Sequence, residues 1–565
     1  MNKKAASIIL PTVILTSLLY PIQEERSVQA NELNKPTMEE RNHKKSQEKP
    51  HPNFRWSDPG PSSPVLHPGS VKGAGLMAEP LQEIDSVLET KISEGAMPGA
   101  VTLVARKGHI AQHEAYGNSY LYKDDDGTEA EQALNMEKDT IFDVASISKI
   151  FTATAAMKLY EEGHFKLDDP VAKHIPEFAQ NGKENVTIEQ LMTHTSGFVA
   201  WVPLYSQGES REDRLQYVYE HPLDNPPGST YTYSDLNMIT LASIIERISG
   251  QRLDEFVKEN ITDPLAMRDT MYNPPQELKD RIAATEYQPV VDRGMVWGEV
   301  HDENAWSLGG VAGHAGIFST AEDLAKLGHM YLNDGRYGGK QILEAETIER
   351  LTENRIPEFP GNEHGLGWEL SQGWYMDALT DATTLGHTGF TGTSMVLNPE
   401  NQTMAILLTN RVHPTRDTVS TNPTRQLFAR QVADAIPIDM PTEEGAWFSG
   451  YGDNLERTMT AKVDTTESTT LSFDTWYRIE SDYDYGYIEA SEDGETWTEI
   501  TSPFTGNSQS WEQHEAELPA DTEYVRFRYE TDDNTNGRGW YVTNLNINSS
   551  ASLNWTSNDW EKRAY

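Results

Sequence analysis

Phe142 to Gly163 reads FDVASISKIFTATAAMKLYEEG, and Ser146 and Lys149 stand three residues apart at the start of what reads as a long helix. One helical turn places their side chains on the same face. A serine hydroxyl is a poor nucleophile until a neighbouring base accepts its proton, and a partly buried lysine whose pKa is lowered can serve as that base. The backbone N–H groups at the helix start, that of Ser146 included, are free to stabilise an oxyanion. Alone, a Ser-x-x-Lys is equally a capping serine followed by a solvated lysine.

Two further stretches change the balance. GSTYTYSDLNMITLASIIERISG (228–250) places Tyr233, Ser234 and Asp235 just before an amphipathic helix, and TTLGHTGFTGTSMVL (383–397) places His387, Thr388 and Gly389 before an apolar strand. Around them the chain alternates helices and strands. LQEIDSVLETKISEG puts Leu81, Ile84, Val87, Leu88 and Ile92 on one helical face, and AVTLVARKGHIAQHEAYG reads as two strands joined at Lys107 and Gly108. GTSMVLNPENQTMAILLTN repeats the two-strand pattern around Pro399 to Asn401, and TRQLFARQVADAI supplies a closing helix. The expectation is an antiparallel sheet flanked by terminal helices, with a mostly helical middle inserted.

The ends differ in kind. Residues 1–30 carry Lys3, Lys4, an apolar run interrupted by Pro11, and a small-x-small pattern ending at Ala30, the signature of a cleaved secretory signal. Residues 31–76 are rich in proline and poor in apolar periodicity, and are expected to form a disordered tether before a large domain at 77–440. The tail, 441–565, holds 25 acidic and 8 basic residues with seven of the thirteen tryptophans. Its Gly486–Ala490 and Thr496–Ile500 segments read as a hairpin about Asp493 and Gly494, and YVRFRYE and GWYVTNLNI as further strands, so it is expected to be an all-β sandwich.

Across all 565 residues, 88 acidic against 46 basic side chains give a net charge of −42, which argues against nucleic-acid binding. With no cysteine there is no disulfide, thiolate metal site or cysteine nucleophile.

Taken in order, Ser-x-x-Lys, Tyr-x-Asp in place of Tyr-x-Asn, and His-Thr-Gly resemble the motifs of the serine β-lactamase and penicillin-binding-protein superfamily, in the branch of D,D-peptidases, class C β-lactamases and esterases. LMTHTSGF (191–198), GEVHDENAWSLGGVAGHAGIFSTAEDLAKL (298–327) and GHTGFTGT (386–393) extend the likeness over roughly residues 77–437. The resemblance implies a β-lactamase-like α/β fold and an acyl-enzyme mechanism. In it Ser146 attacks, Lys149 takes its proton, and Tyr233 relays a proton to the leaving group. Asp235, His387, Thr388, Gly389, Phe390 and His314 would line the substrate site, with the Phe390 N–H completing the oxyanion hole.

Two positions depart from the pattern. Asp235 replaces an amide by an anion, which could hold Lys149 or a substrate amine but repels a carboxylate beside it. His387 stands where β-lactamases usually carry lysine, so one fixed cation is missing. Each residue also has a plainer reading: Tyr233 as a helix-flanking aromatic, His387 as a strand-end residue, and His314 as scaffold. His194 is expected to be structural, tying a helix end down. His301, Asp302, Glu303 and His314 do not form a recognised zinc spacing, and no metal is expected there.

The tail resembles sandwich modules appended to secreted bacterial metallopeptidases, which implies targeting or stabilisation. Its Asp482, Asp484, Asp532 and Asp533 suit calcium or are simply solvated, the latter being favoured, and no cofactor is expected for the chemistry. The sequence and this resemblance therefore point to a secreted or wall-associated serine hydrolase that cleaves an amide bond in peptidoglycan-derived peptides, as a D,D-peptidase or a muropeptide amidase, with peptidoglycan peptides or small amides and esters as partners, free of the membrane once the signal is removed. An esterase, a weak β-lactamase and a non-catalytic wall-binding protein are the alternatives. Because every proposed catalytic group precedes residue 440, the tail is expected to be dispensable for turnover of small substrates.

Overall fold

The computed structural model describes residues 63–289, 291–463, 465–547 and 551–565. The expected signal peptide and most of the expected tether lie outside them. Residues 63–76, expected in the tether, are the part of it that is described. His67–Pro68 pairs in parallel with His109–Ile110, and Ala74 and Leu76 are buried against the first long helix and its neighbours, so residues 63–76 belong to the folded body.

That helix, α1 (Ala78–Ser93), turns Leu81, Ile84 and Leu88 inward, the face its apolar spacing predicts. Strands β1 (Gly99–Arg106) and β2 (His109–Tyr122) follow as a hairpin, with Lys107 and Gly108 in left-handed conformations at the turn. The chain then leaves the sheet. It builds a largely helical region around α2 (Ser148–Glu161) and α3 (Asp235–Ser249), and returns through β3 (Glu369–Leu370), β4 (Leu385–Thr388), β5 (Ser394–Asn398) and β6 (Thr403–Thr409). β6 pairs with β1 over Thr403–Thr409, which closes the two halves of the chain into one sheet of order β2-β1-β6-β5-β4-β3. β1, β5 and β6 are buried along their whole length, since helices cover both faces: α1 and α4 (Asn422–Asp434) on one, the inserted helices on the other. Residue 387 thus stands on β4, one strand from the edge. Among the described residues no helix is long and apolar enough to cross a membrane.

The tail is an antiparallel two-sheet sandwich. A six-stranded sheet contains β8 (Thr469–Arg478), β10 (Glu512–Leu518) and β12 (Gly539–Ile547), and a five-stranded one contains β7 (Glu456–Lys462), β9 (Tyr485–Ser491) and β11 (Tyr524–Glu530). The anticipated hairpin is present, with Glu489 opposite Glu499 and Ala490 opposite Thr498. Trp540 is fully buried between the sheets, its ring 5.3 Å from that of Phe504 and 5.5 Å from those of Phe527 and Trp560, so aromatic packing replaces covalent staples here.

The sandwich is not a loosely strung bead. Arg430 on α4 reaches Asp377 at 2.7 Å and Asp453 of the sandwich at 3.1 Å, and Arg563 reaches Asp434 at 2.6 Å. Arg478 donates to the Thr380 carbonyl and Arg538 to that of Ile436. Removing one member of a buried ion pair typically costs about 3–5 kcal/mol, because the remaining charge loses its partner. A chain ended at Met440 loses Asp453, Arg478, Arg538 and Arg563 together. The remaining domain is expected to melt several degrees below the full-length protein by scanning calorimetry; an unchanged midpoint would show that these contacts carry no stability.

Candidate active site

Ser146 lies in a short 3₁₀ turn, Ala145–Ile147, that leads into α2. Ala145 adopts φ of +47°, a left-handed conformation that strains a residue with a Cβ. Buried Asp143 holds the turn: its Oδ1 accepts the Ala145 N–H at 2.8 Å and its Oδ2 the His301 N–H at 2.6 Å. Thr391 donates to the Asp143 carbonyl at 2.8 Å, and Thr393 to that of Val144 at 3.3 Å. A side chain at Gly389 would meet Thr393 Oγ1 at 2.2 Å and the Val144 carbonyl at 2.6 Å. The glycine therefore serves the close approach of the β4 end to the serine turn.

Lys149 is fully buried, and its ammonium is the centre of the site. Nζ lies 2.8 Å from Ser146 Oγ, 2.9 Å from Asp235 Oδ1, 3.3 Å from the His314 carbonyl and 4.7 Å from the centroid of the Tyr233 ring. Two of the three motifs, Ser-x-x-Lys and Tyr-x-Asp, far apart in sequence, thus converge on one nitrogen together with the His314 carbonyl. Burial alone would lower the pKa of Lys149, but the Asp235 carboxylate and the Tyr233 phenol outweigh it and hold the group well above its ordinary range. The lowered lysine pKa expected from burial is therefore reversed by the aspartate that replaces asparagine. Burial pushes the Tyr233 phenol up to about 12 against the opposing pull of Lys149, so the resting site holds an ammonium and a neutral phenol.

The histidines are support. His387 is buried, and its Nδ1 donates to the Thr388 carbonyl at 2.8 Å, with its ring 6.0 Å from that of Tyr233. Burial, aided by the charge of Lys149, lowers its pKa to about 3, so it is a neutral imidazole behind Tyr233 and cannot replace the missing cation. His314, expected among the substrate ligands, is buried against Asp302 at 2.8 Å, and it is its main-chain carbonyl, not its ring, that reaches Lys149. His194 plays the structural part expected of it: Nδ1 accepts from the Ser234 N–H and from Asn237, both at 3.1 Å, which fixes the turn carrying Tyr233. Asp235, Asp302 and His314 come close enough together to hold a cation, yet the Lys149 ammonium already faces Asp235.

The open cleft, of about 510 Å³, is lined by Ser146, Tyr233, Thr388, Gly389 and Phe390 together with Glu369, Trp374, Arg411 and Arg425. Phe390 is 53% exposed at the mouth, stacked on His301 and flanked by the guanidinium groups of Arg411 and Arg416. Among the described residues neither the Ser146 nor the Phe390 N–H donates to another main-chain carbonyl, which leaves both for an oxyanion. Sequence reasoning missed the last four lining residues and Asp143. Arg425 Nη2 spans the carbonyls of Gly389 and Thr393 at 2.8 and 3.0 Å, and so holds the β4–β5 turn open. Burial pushes the Glu369 carboxyl up to about 7, against the pull of Arg425 and Lys149. The phrase GLGWEL that carries it has no chemical signature of its own.

A sequence profile of the beta-lactamase family matches residues 84–430, and one of the immune inhibitor A-like MAM domain matches residues 436–559. The chain belongs to the beta-lactamase family and is an enzyme of its serine hydrolase type. An Escherichia coli K12 protein provisionally named D-alanyl-D-alanine carboxypeptidase is 34% identical over 387 residues, covering 62% of this chain and 86% of its own length. A Salmonella agona protein of the same name is 33% identical over 382 residues, covering 62% and 87% respectively. Among solved structures, EstCE1, a hydrolase with promiscuous acyltransferase activity, aligns with a TM-score of 0.49 at 22% identity over 63% of this chain and 98% of its own. A penicillin-binding-protein homolog from Caulobacter crescentus aligns with a TM-score of 0.49 at 19% identity over 63% of this chain and 97% of its own.

If Lys149 must lose its proton before it can take that of Ser146, activity rises with pH as that proton leaves, and Asp235 sets where. Asp235→Asn removes the group that holds the pKa up. The ascending limb of log kcat/KM against pH is expected to move to lower pH by about one unit or more. An unmoved limb in a folded variant would mean that the aspartate does not govern the base.

Proposed function

We propose that the protein is an exported acyl-transferring serine hydrolase that cleaves an amide bond in peptidoglycan-derived peptides, of the D,D-carboxypeptidase type. The single observation that carries this reading is the 2.8 Å contact between Ser146 Oγ and a lysine nitrogen that Asp235 and Tyr233 also face. The names of the relatives support the substrate class, and the charged start and apolar run of residues 1–30 support export.

In this reading one proton leaves the Lys149–Asp235–Tyr233 group, and the freed amine accepts the proton of Ser146. The Ser146 oxygen then bonds to the substrate carbonyl carbon, whose oxygen becomes an anion facing the Ser146 and Phe390 N–H groups. The carbon–nitrogen bond breaks as Tyr233, resupplied by the Lys149 ammonium beside it, protonates the leaving amine. Water then attacks the ester by the reverse route and frees Ser146. Asp235 keeps the ammonium from drifting out of a buried site, where an unpaired charge is strongly disfavoured.

A second reading, an esterase of the same chemistry, is favoured by the aromatic walls Phe390 and Trp374, 53% and 37% exposed, and by the neutral imidazole of His387 in place of a cation. Defined substrates separate the two. Release of D-alanine from a muropeptide ending in D-alanyl-D-alanine is expected for the wild type, with turnover of all substrates abolished in a folded Ser146→Ala variant. Efficient ester hydrolysis without D-alanine release would favour the esterase, and undiminished turnover by the variant would remove Ser146 as nucleophile.

A further inference from the structure

The sandwich contains acids that no cation answers among the described residues. Glu480 follows β8, Asp484 precedes β9 and Asp532 follows β11, and each offers a carboxylate oxygen within 4.8 Å of the other two. Asp484 is fully buried. Its Oδ1 accepts the Asp532 N–H at 3.1 Å, while its Oδ2 and Glu480 Oε2, both shielded from solvent, have no hydrogen-bond partner. Of the four acids singled out in the sequence, Asp482 and Asp533 are not in this group.

Several other buried carboxylates of the protein have a cation. Asp377 has Arg430, Asp434 has Arg563, and Glu489 has Arg526 and Arg528. Among the described residues no lysine, arginine or histidine forms an ion pair with Glu480, Asp484 or Asp532. Arg430, on the adjoining helix α4, is held by Asp377 and Asp453, and Arg457 donates to the Ser449 carbonyl. An ionised carboxylate buried without a partner is strongly unfavourable. Burial, reinforced by Asp532 and Asp484, pushes Glu480 up to about 7, and burial pushes Asp484 up to about 6 despite the backbone N–H groups of Asp532 and Glu480. The group thus takes up either protons or a cation from outside. Oxygen-only donors select a hard ion over zinc or copper, and oxygens up to 4.8 Å apart fit a calcium ion with bonds of about 2.3–2.6 Å.

The position of the group gives the ion a consequence. Asp532 opens the 531–538 segment, which meets the catalytic domain: Asn534 accepts from Gln426 on α4 at 3.5 Å, Thr535 packs on Gly373, and Arg538 donates to the Ile436 carbonyl. Gly373 precedes Trp374, which lines the active-site cleft. We propose that Glu480, Asp484 and Asp532 bind a hard divalent cation of the calcium class, and that the ion fixes the 531–538 segment against the catalytic domain.

The test uses the full-length protein, stripped with a chelator and dialysed, then titrated with calcium chloride by calorimetry and followed by thermal unfolding and hydrogen exchange. Calcium is expected to bind one site, raise the melting temperature and slow exchange of residues 531–538, with magnesium weaker. Asp484→Asn and Glu480→Gln should lose all three effects. Without calcium, Asp484→Asn should melt no lower than the wild type, since it removes an unanswered charge, whereas a merely structural carboxylate would lower it. Asp482→Asn should bind as the wild type does. No saturable binding, or binding undiminished in Asp484→Asn, overturns the site; binding without slowed exchange in 531–538 overturns the link to the catalytic domain.

Discussion

A buried ammonium is the constraint around which the catalytic domain is organised. Lys149 has no access to water, so its charge survives only because Asp235, the Ser146 hydroxyl and the His314 carbonyl stand within 3.3 Å of it. Each of these comes from a separate part of the inserted region, and each needs its own support. Asp143 and the Gly389 contact hold the serine turn, His194 holds the Tyr233–Asp235 turn, and Asp302 holds His314. The sheet supplies a rigid wall against which these pieces are registered. The aspartate also changes the chemistry. It stabilises the ammonium, and the same stabilisation lies in the way of a lysine acting as base, so structural security and reactivity pull on one proton.

The periodic parts of the fold were legible in the sequence because period and burial agree there. The α1 face, the hairpin about Lys107 and Gly108, the strands around Pro399 to Asn401, and the sandwich strands Tyr524–Glu530 and Gly539–Ile547 fall where their patterns put them. The start of the folded body was misplaced. Residues 63–76 have few apolar positions, and a two-residue strand leaves no periodicity to detect.

In the site, the residues that carry motifs were legible and those that act through position were not. Ser146, Lys149 and Tyr233 announced themselves by spacing, whereas Glu369, Arg425 and Asp143 sit in phrases with no chemical pattern and matter only once strands β3 and β4 and helix α4 are assembled. The histidines show the converse. His314 and His387 looked chemical by type, yet burial makes one a scaffold and the other a neutral backing for Tyr233. The direction of the Lys149 shift could not be read from a lysine alone, since it depends on whether burial or a neighbouring charge prevails.

The account stands or falls on a covalent bond to one oxygen. The wild-type protein, quenched in acid during turnover of a peptide ending in D-alanyl-D-alanine or after exposure to a penicillin, should gain the mass of one acyl group, and fragmentation of the peptide spanning residues 142–158 should place it on Ser146. An acyl group on any other side chain, or none under conditions of active turnover, would contradict it.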